Sequence, residues 1–223
     1  MIMTKVIVLF EGYAKELDDG KMNANCSCTL IKGEKLIIVD TMTAWDKDKI
    51  INGLSENGLI PDDINIVICT HGHADHIGNN NLFTNAEFHM IGTCIYKGTI
   101  FSELKDGKNS PDNKEVSIFG KDVEVIATPG HTHDDVSIIV KTKIDGTNVK
   151  VGIVGDLFER EEDIEDMSIW KSLGMSNLYE KQIENRLKII NCVDYIIPGH
   201  GPMFKLTENM KKKVLADSQF QVD

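Results

Sequence analysis

The chain has 223 residues, 41% of them hydrophobic, which is enough to bury a full core and too much for a disordered protein. Its formal net charge of −11 repels polyanions as a whole, so a nucleic-acid partner would need a local basic patch. Only two of the 24 basic residues, Arg160 and Arg186, are arginines able to grip a phosphate through two parallel hydrogen bonds.

The elements follow in chain order. The "VIVLF" run near the start is too short for a secretory core and far short of a membrane span, so the expectation is an intracellular protein, cytoplasmic or nuclear, with no membrane partner. Residues 5–14, 26–33 and 34–41 are β-rich runs broken by Gly and Asp, which predicts neighbouring strands in a meander. Residues 46–58 change to a helical period, with Ile50, Ile51 and Leu54 on one face and a stop at Gly58. "INIVICT", 64–70, is an apolar strand that opens directly into "HGHADHIG". His89 in "AEFHMIG" is read as a strand side chain, and 103–115 as a polar loop.

Three more apolar strands, at 123–131, 149–156 and 193–201, each run into Gly and then a donor: His131, Asp156 and His200. The acidic run 159–166 reads as a solvated face, 176–191 as a packing helix capped by Ser176, and Lys211 to Lys213 as a helix surface. Five cysteines, Cys26, Cys28, Cys69, Cys94 and Cys192, form an odd set without zinc-ribbon spacing, and are expected as reduced, packed thiols. No repeat, low-complexity segment or linker marks a boundary, so a single domain over 1–223 is expected.

The histidine cluster carries the chemistry. In an extended stretch alternate side chains share a side, so His71 and His73 can grip one cation, and a turn after them lets Asp75 and His76 face a second. Imidazole and carboxylate donors suit Zn, Fe or Mn, and two metals need roughly six to eight donors; with His131, Asp156 and His200 the chain offers seven. Taken alone, Asp156 could equally cap a following turn. Asp40, at the end of "LIIVD", is expected to anchor the site from behind, because ligating histidines need a carboxylate or carbonyl partner. His133 is expected to hydrogen-bond substrate or Asp135.

These residues, "VDT" at Asp40, "THGHADH", "TPGH" at His131, "GD" at Asp156 and "PGHG" at His200, resemble the five ordered motifs of the metallo-β-lactamase superfamily. The resemblance implies an α/β fold, an αββα sandwich of two mixed sheets between helices. It implies that His71, His73 and His131 hold a first metal, Asp75, His76 and His200 a second, and that Asp156 bridges them. The antibiotic-hydrolysing enzymes lack that bridging Asp, so lactam hydrolysis is not expected. "THGHADHIGNNNLF", "GDLFER" and "PGHGPMF" are more similar to small intracellular members grouped with glyoxalase II.

That closer likeness implies an endoribonuclease of the histone pre-mRNA 3′ end type, two zinc ions (Fe or Mn being alternatives) and a homodimer. Thioester hydrolysis, iron-dependent redox chemistry and a non-catalytic scaffold are the competing readings. The short tail after His200 leaves no room for a glutathione-binding helical domain, which argues against a glutathione thioester. The expected mechanism is a hydroxide bridging two cations, whose field lowers the pKa of water toward about 7, with Asp75 orienting it and accepting its proton.

Overall fold

A computed structural model describes residues 3–104 and 118–219, so most of the polar segment at 103–115 lies outside the described residues. The first half contains β1 (Lys5–Phe10), β2 (Tyr13–Glu16), β3 (Met22–Asn25), β4 (Cys28–Lys32), β5 (Leu36–Val39), α1 (Lys47–Glu56), β6 (Ile66–Cys69), α2 (Ala74–Ile77), β7 (Phe88–Ile91), β8 (Cys94–Lys97) and β9 (Ile100–Glu103). Apart from the β2–β3 hairpin these strands form one seven-stranded sheet in the order β1-β4-β5-β6-β7-β8-β9, parallel across β5-β6-β7 and antiparallel elsewhere. The second half contains β10 (Val123–Ala127), β11 (Val136–Ile144), β12 (Thr147–Gly155), α3 (Ser168–Leu173), α4 (Tyr179–Ile190), β13 (Tyr195–Pro198), β14 (Phe204–Lys205) and α5 (Glu208–Gln219). Its five strands run β10-β11-β12-β13-β14, with only β12 and β13 parallel.

Strand alternation explains the layering. Ile31, Ile37, Val39, Ile66 and Ile68 face the second sheet and meet Val125, Ile138, Val140, Val151 and Ile153 in a central core. Their neighbours Leu30, Ile38 and Val67 point the other way and pack under Ile50 and Leu54 of α1. On the opposite flank Ile139, Val154 and Ile196 are covered by Ile189 and Ile190 of α4 and Val214 of α5. Helix, sheet, sheet and helix therefore stack as the expected αββα sandwich, and both sheets are mixed. Truncating a fully buried side chain such as Leu54 to Ala should cost about 2–5 kcal/mol. Among the described residues no helix is long and apolar enough to cross a membrane.

Several local expectations need correction. The strand foreseen over 5–14 ends at Phe10, because Tyr13 begins a separate hairpin that pairs with Asn25. Ser176 opens a short 3-10 turn, Ser176–Leu178, and α4 starts behind it with Leu178 at the cap and no side-chain cap bond. In α1, Ile50 and Leu54 are buried while Ile51 is half-buried. The acidic run 159–166 is a solvated face only in part: Glu161, Glu162, Glu165 and Asp166 are exposed, whereas Glu159 and Asp163 are buried. Arg186 of α4 forks onto the Asp163 carboxylate at 2.7 and 3.1 Å, donates to the Leu157 carbonyl at 2.9 Å and lies over the Phe158 ring. Removing one partner of so buried a pair costs about 3–5 kcal/mol, so Arg186 is a structural residue and is withdrawn from any phosphate-binding role.

Candidate metal centre

The site sits where strands of both sheets finish. Chain reversal at the end of β5 places Asp40 in the left-handed region, φ 58°, which an aspartate tolerates better than most residues. Its carboxylate accepts the Thr70 backbone N–H at 2.7 Å and the Thr70 hydroxyl at 3.1 Å, and its Oδ2 stands 3.1 Å from His76 Nδ1. Asp40 thus stands behind His76, on the side of its Nδ1. Beyond β6, His71 is buried, and His73 begins α2 in extended conformation, so one strand end delivers His71 and His73 to the same side. The single turn of α2 then swings Asp75 and His76 round.

From the second sheet, β10 leads to His131, β12 to Asp156 and β13 to His200. Two glycines make the approach achievable. Gly155 has φ +52°, and a Cβ there would lie 2.4 Å from Thr70 Oγ1; at Gly199 a Cβ would lie 1.8 Å from Asp156 Oδ1. Backbone hydrogen bonds from Gly199 to Gly155 and from Val136 to Thr70 tie the contributing loops together.

Seven donors converge. His71 Nε2 and His131 Nε2 stand 2.9 and 3.0 Å from His73 Nδ1, and 3.5 and 3.3 Å from Asp156 Oδ2. Four ligand atoms around one tetrahedral ion at ordinary zinc bond lengths would be about 3.3 Å apart, which these distances match. A second set adjoins it: His76 Nε2 and His200 Nε2 each lie 3.8 Å from Asp75 Oδ2 and 3.3 Å from an oxygen of Asp156. His76 Nε2 and Asp156 Oδ1 are buried and face each other without the alignment of a hydrogen bond. A cation between them satisfies both, so the donor set fits metal. Asp156 groups with His71, His73 and His131 and again with Glu159 and His200, and its Oδ1 lies 3.3 Å from His76 Nε2, so it stands between the two donor sets.

Electrostatics agree with that fit. Burial, reinforced by the neighbouring His76, pushes the His71 imidazole well below its ordinary pKa, and burial brings His131 down to about 4. Both are therefore neutral with a free lone pair, the form a ligand needs. Burial also disfavours charge on His76 and His200, but Asp156, joined at His76 by Asp40, outweighs it and raises both. Burial of Asp156 is likewise overcome by His76, His200 and His71, which hold its carboxyl well below the usual range. The cluster is built around one buried anion that demands positive charge.

Some residues escaped the sequence reading. Glu159, buried three residues after Asp156, places Oε1 3.5 Å from His131 Nδ1 and can hold that ring from behind. Burial, with Asp156 and Asp163 close by, raises its pKa well above the carboxylate range. The Asn25 carbonyl lies 3.0 Å from His200 Nδ1 and fixes that ring in the same way. Cys26 lies with Asp40 and His76, but burial and then Asp40 raise its thiol pKa strongly, so it stays protonated. His133 is exposed on the loop past His131, and Asp135 is engaged by the Thr132 N–H at 2.7 Å and the Thr132 hydroxyl, so the expected His133–Asp135 bond does not form. His89 keeps the strand role expected of it, its Nε2 2.9 Å from the Phe83 carbonyl. All five cysteines are free thiols.

The family model of the metallo-beta-lactamase superfamily matches residues 23–200. The chain belongs to that superfamily. It is 39% identical over 204 residues to metallo-beta-lactamase domain-containing protein 1 of Xenopus laevis, which covers 92% of this chain and 82% of that protein. It is 36% identical over 171 residues to a protein of Methanocaldococcus jannaschii named as a metallo-hydrolase, with 76% and 73% covered. The chain spans less than two thirds of the length of the rat, human and mouse relatives it matches. Its fold superposes on a Thermotoga maritima protein described as a metallo-beta-lactamase with TM-score 0.64 at 21% identity, covering 92% of this chain and 100% of that one. The superfamily is one of metal-dependent hydrolases, and this member carries a His/Asp cluster able to hold metal.

Proposed function

We propose that this chain is a dinuclear metal-dependent hydrolase that cuts RNA phosphodiesters, an endoribonuclease of the histone pre-mRNA 3′ end type. The observation that carries the dinuclear reading is Asp156: one buried carboxylate lies 3.3–3.5 Å from His71, His131 and His200 through Oδ2 and 3.3 Å from His76 through Oδ1. His71, His73 and His131 would hold one cation, Asp75, His76 and His200 the other, with Asp156 shared. Zinc suits these donors best, and Fe or Mn would also be accepted. When bound, such cations supply Lewis-acid activation of water and of the electrophilic oxygen.

The rest is the work of the chain's own groups. Asp75, a quarter exposed, turns Oδ2 toward the shared space and is the group placed to orient an attacking water and take its proton. Asp40 and the Asn25 carbonyl hold the far nitrogens of His76 and His200, so the near nitrogens keep their aim, and Glu159 stands 3.5 Å behind His131. His133, exposed at the rim, is free to donate to a leaving oxygen. With Arg186 buried, Arg160 is the remaining arginine; its guanidinium reaches the Ala14 carbonyl at 3.4 Å and stands 3.8 Å from Glu162. The RNA part rests on the resemblance carried by the motifs "THGHADHIGNNNLF", "GDLFER" and "PGHGPMF". The lysines at 141–150, which would be natural phosphate contacts, stand at the other end of the sandwich: Lys150 lies six residues ahead of Asp156 on β12, about 20 Å along the strand. RNA should therefore bind weakly, with a small salt slope from about two to four contacts.

The decisive assay compares zinc-loaded chain on single-stranded RNA and on a glutathione thioester, with His71→Ala as the contamination control. The expected result is metal-dependent RNA cleavage with one end chemistry that the variant lacks. A thioester rate far above the RNA rate would replace this reading by thioester hydrolysis. The homodimer implied by the resemblance belongs to the same proposal, and sedimentation of the zinc-loaded chain tests it.

A further inference from the structure

The outer face of the second sheet changes character at the end remote from the metal centre. Along that face Ile139 and Val154 pack in the outer core, and continuing by twos the same side carries Lys141 and Lys143 on β11 and Lys150 and Asn148 on β12. Lys141 stands directly opposite Lys150 across the antiparallel pair. Like charges in that relation destabilise a sheet, and among the described residues no carboxylate forms a salt bridge with either amine. Lys211 of α5 joins them over a cleft of about 680 Å³, its only acidic partner among the described residues being Glu208 at a loose 3.7 Å.

Two acidic groups also line the cleft against its four lysines, and each is held by a neighbour in the cleft wall. Asp122 accepts the Thr4 hydroxyl at 2.8 Å, and Asp194 accepts the Lys150 backbone N–H at 2.8 Å. Edge protection does not explain the lysines, because β11 and β12 are interior strands. A chain of net charge −11 thus gathers four lysines around one concavity whose volume suits a small ligand.

We propose that this cleft is an anion site for a phosphate-bearing small molecule, separate from the metal centre. An anion seated between Lys141 and Lys150 removes their repulsion and takes charge-assisted hydrogen bonds from both. A nucleic-acid strand is the poorer occupant, since single strands are held largely by stacking and no aromatic ring lines the cleft.

The test titrates inorganic phosphate into the zinc-loaded full chain and follows backbone amide resonances. Saturable shifts are expected at 141–150 and 191–194, distinct from any at 71–76. The Lys141→Gln, Lys150→Gln double variant should weaken those cleft shifts by about fivefold or more. Both side chains are exposed, so its melting temperature should stay level or rise as the repulsion is lost. Shifts confined to 71–76, equal affinity in the variant, or a cleft response to a single-stranded RNA oligomer but not to phosphate would each overturn the proposal.

Discussion

The two sheets contribute to the metal centre in different ways. The first delivers four donors, His71, His73, Asp75 and His76, from one six-residue stretch that leaves a single strand. The second delivers three, His131, Asp156 and His200, from the ends of three strands scattered over the second half of the chain. A local motif needs only the backbone geometry of its own strand and turn. A dispersed one needs every strand in register and the loops close enough to touch; Gly155 and Gly199 mark that closeness on the second side, as Gly78 and Gly92 do on the first. Within the histidine stretch Gly72 has room, so that position should tolerate a change that Gly199 cannot.

The sharpest break of the comparison is at its centre. Asp156→Ala should lower metal content from two per chain to one or fewer and cut turnover by about 100-fold or more, while the melting temperature of EDTA-treated protein changes little. Metal analysis, steady-state rates and thermal melts on one preparation decide it; a large stability loss with intact turnover would make Asp156 a mere cap.

Next in size is a pair of matched substitutions. Gly199→Ala, on the second side, drives a Cβ to 1.8 Å from Asp156 Oδ1 and should cost at least about 3 kcal/mol by denaturant melt. Gly72→Ala, inside the histidine stretch, meets nothing nearer than Ile91 Cγ2 at 3.8 Å and should fall within about 0.5 kcal/mol. Equal costs would dissolve the distinction between the two sides.

The loop carrying His131 offers a pH test. Burial, against the Thr132 hydrogen bonds, raises Asp135 from 3.8 to about 6, so the folded state holds a proton that the unfolded state releases. Its contribution is complete below about pH 4 and is lost as pH rises to about 6, roughly 3 kcal/mol in all. Wild type minus Asp135→Asn in EDTA-treated protein should show stability falling over that window; a flat difference refutes the assignment.

The smallest effect belongs to the first side's support. Asp40→Asn keeps a residue that tolerates the left-handed turn but removes the charge facing His76, and should weaken binding at the second metal about tenfold by competition with a chelator, leaving the first unchanged.

Legibility in the sequence followed the same divide. Alternation and one turn were enough to read His71, His73, Asp75 and His76 as neighbours, and apolar strands ending in donors pointed to His131, Asp156 and His200. Charge count misled at Glu159 and Asp163, the buried members of 159–166, because the partner that buries Asp163 is Arg186, over twenty residues away on α4. Ser176 had the chemistry of a cap, yet a 3-10 turn intervened, a choice set by how α4 packs rather than by its first residue.

By itself the sequence determined the strand periods and the seven candidate donors, because each depends on residue type and on spacing within one element, while the layer architecture came from the likeness of its motifs to a known superfamily. Tertiary structure alone decided the rest: that Asp156 stands between both donor sets, that Glu159 and the Asn25 carbonyl back the histidines, and that the lysines gather at the far end. These are distances between elements remote in sequence, set by sheet register and by burial of whole faces. No local pattern encodes them, since the free energy that fixes them is shared across the entire packed core.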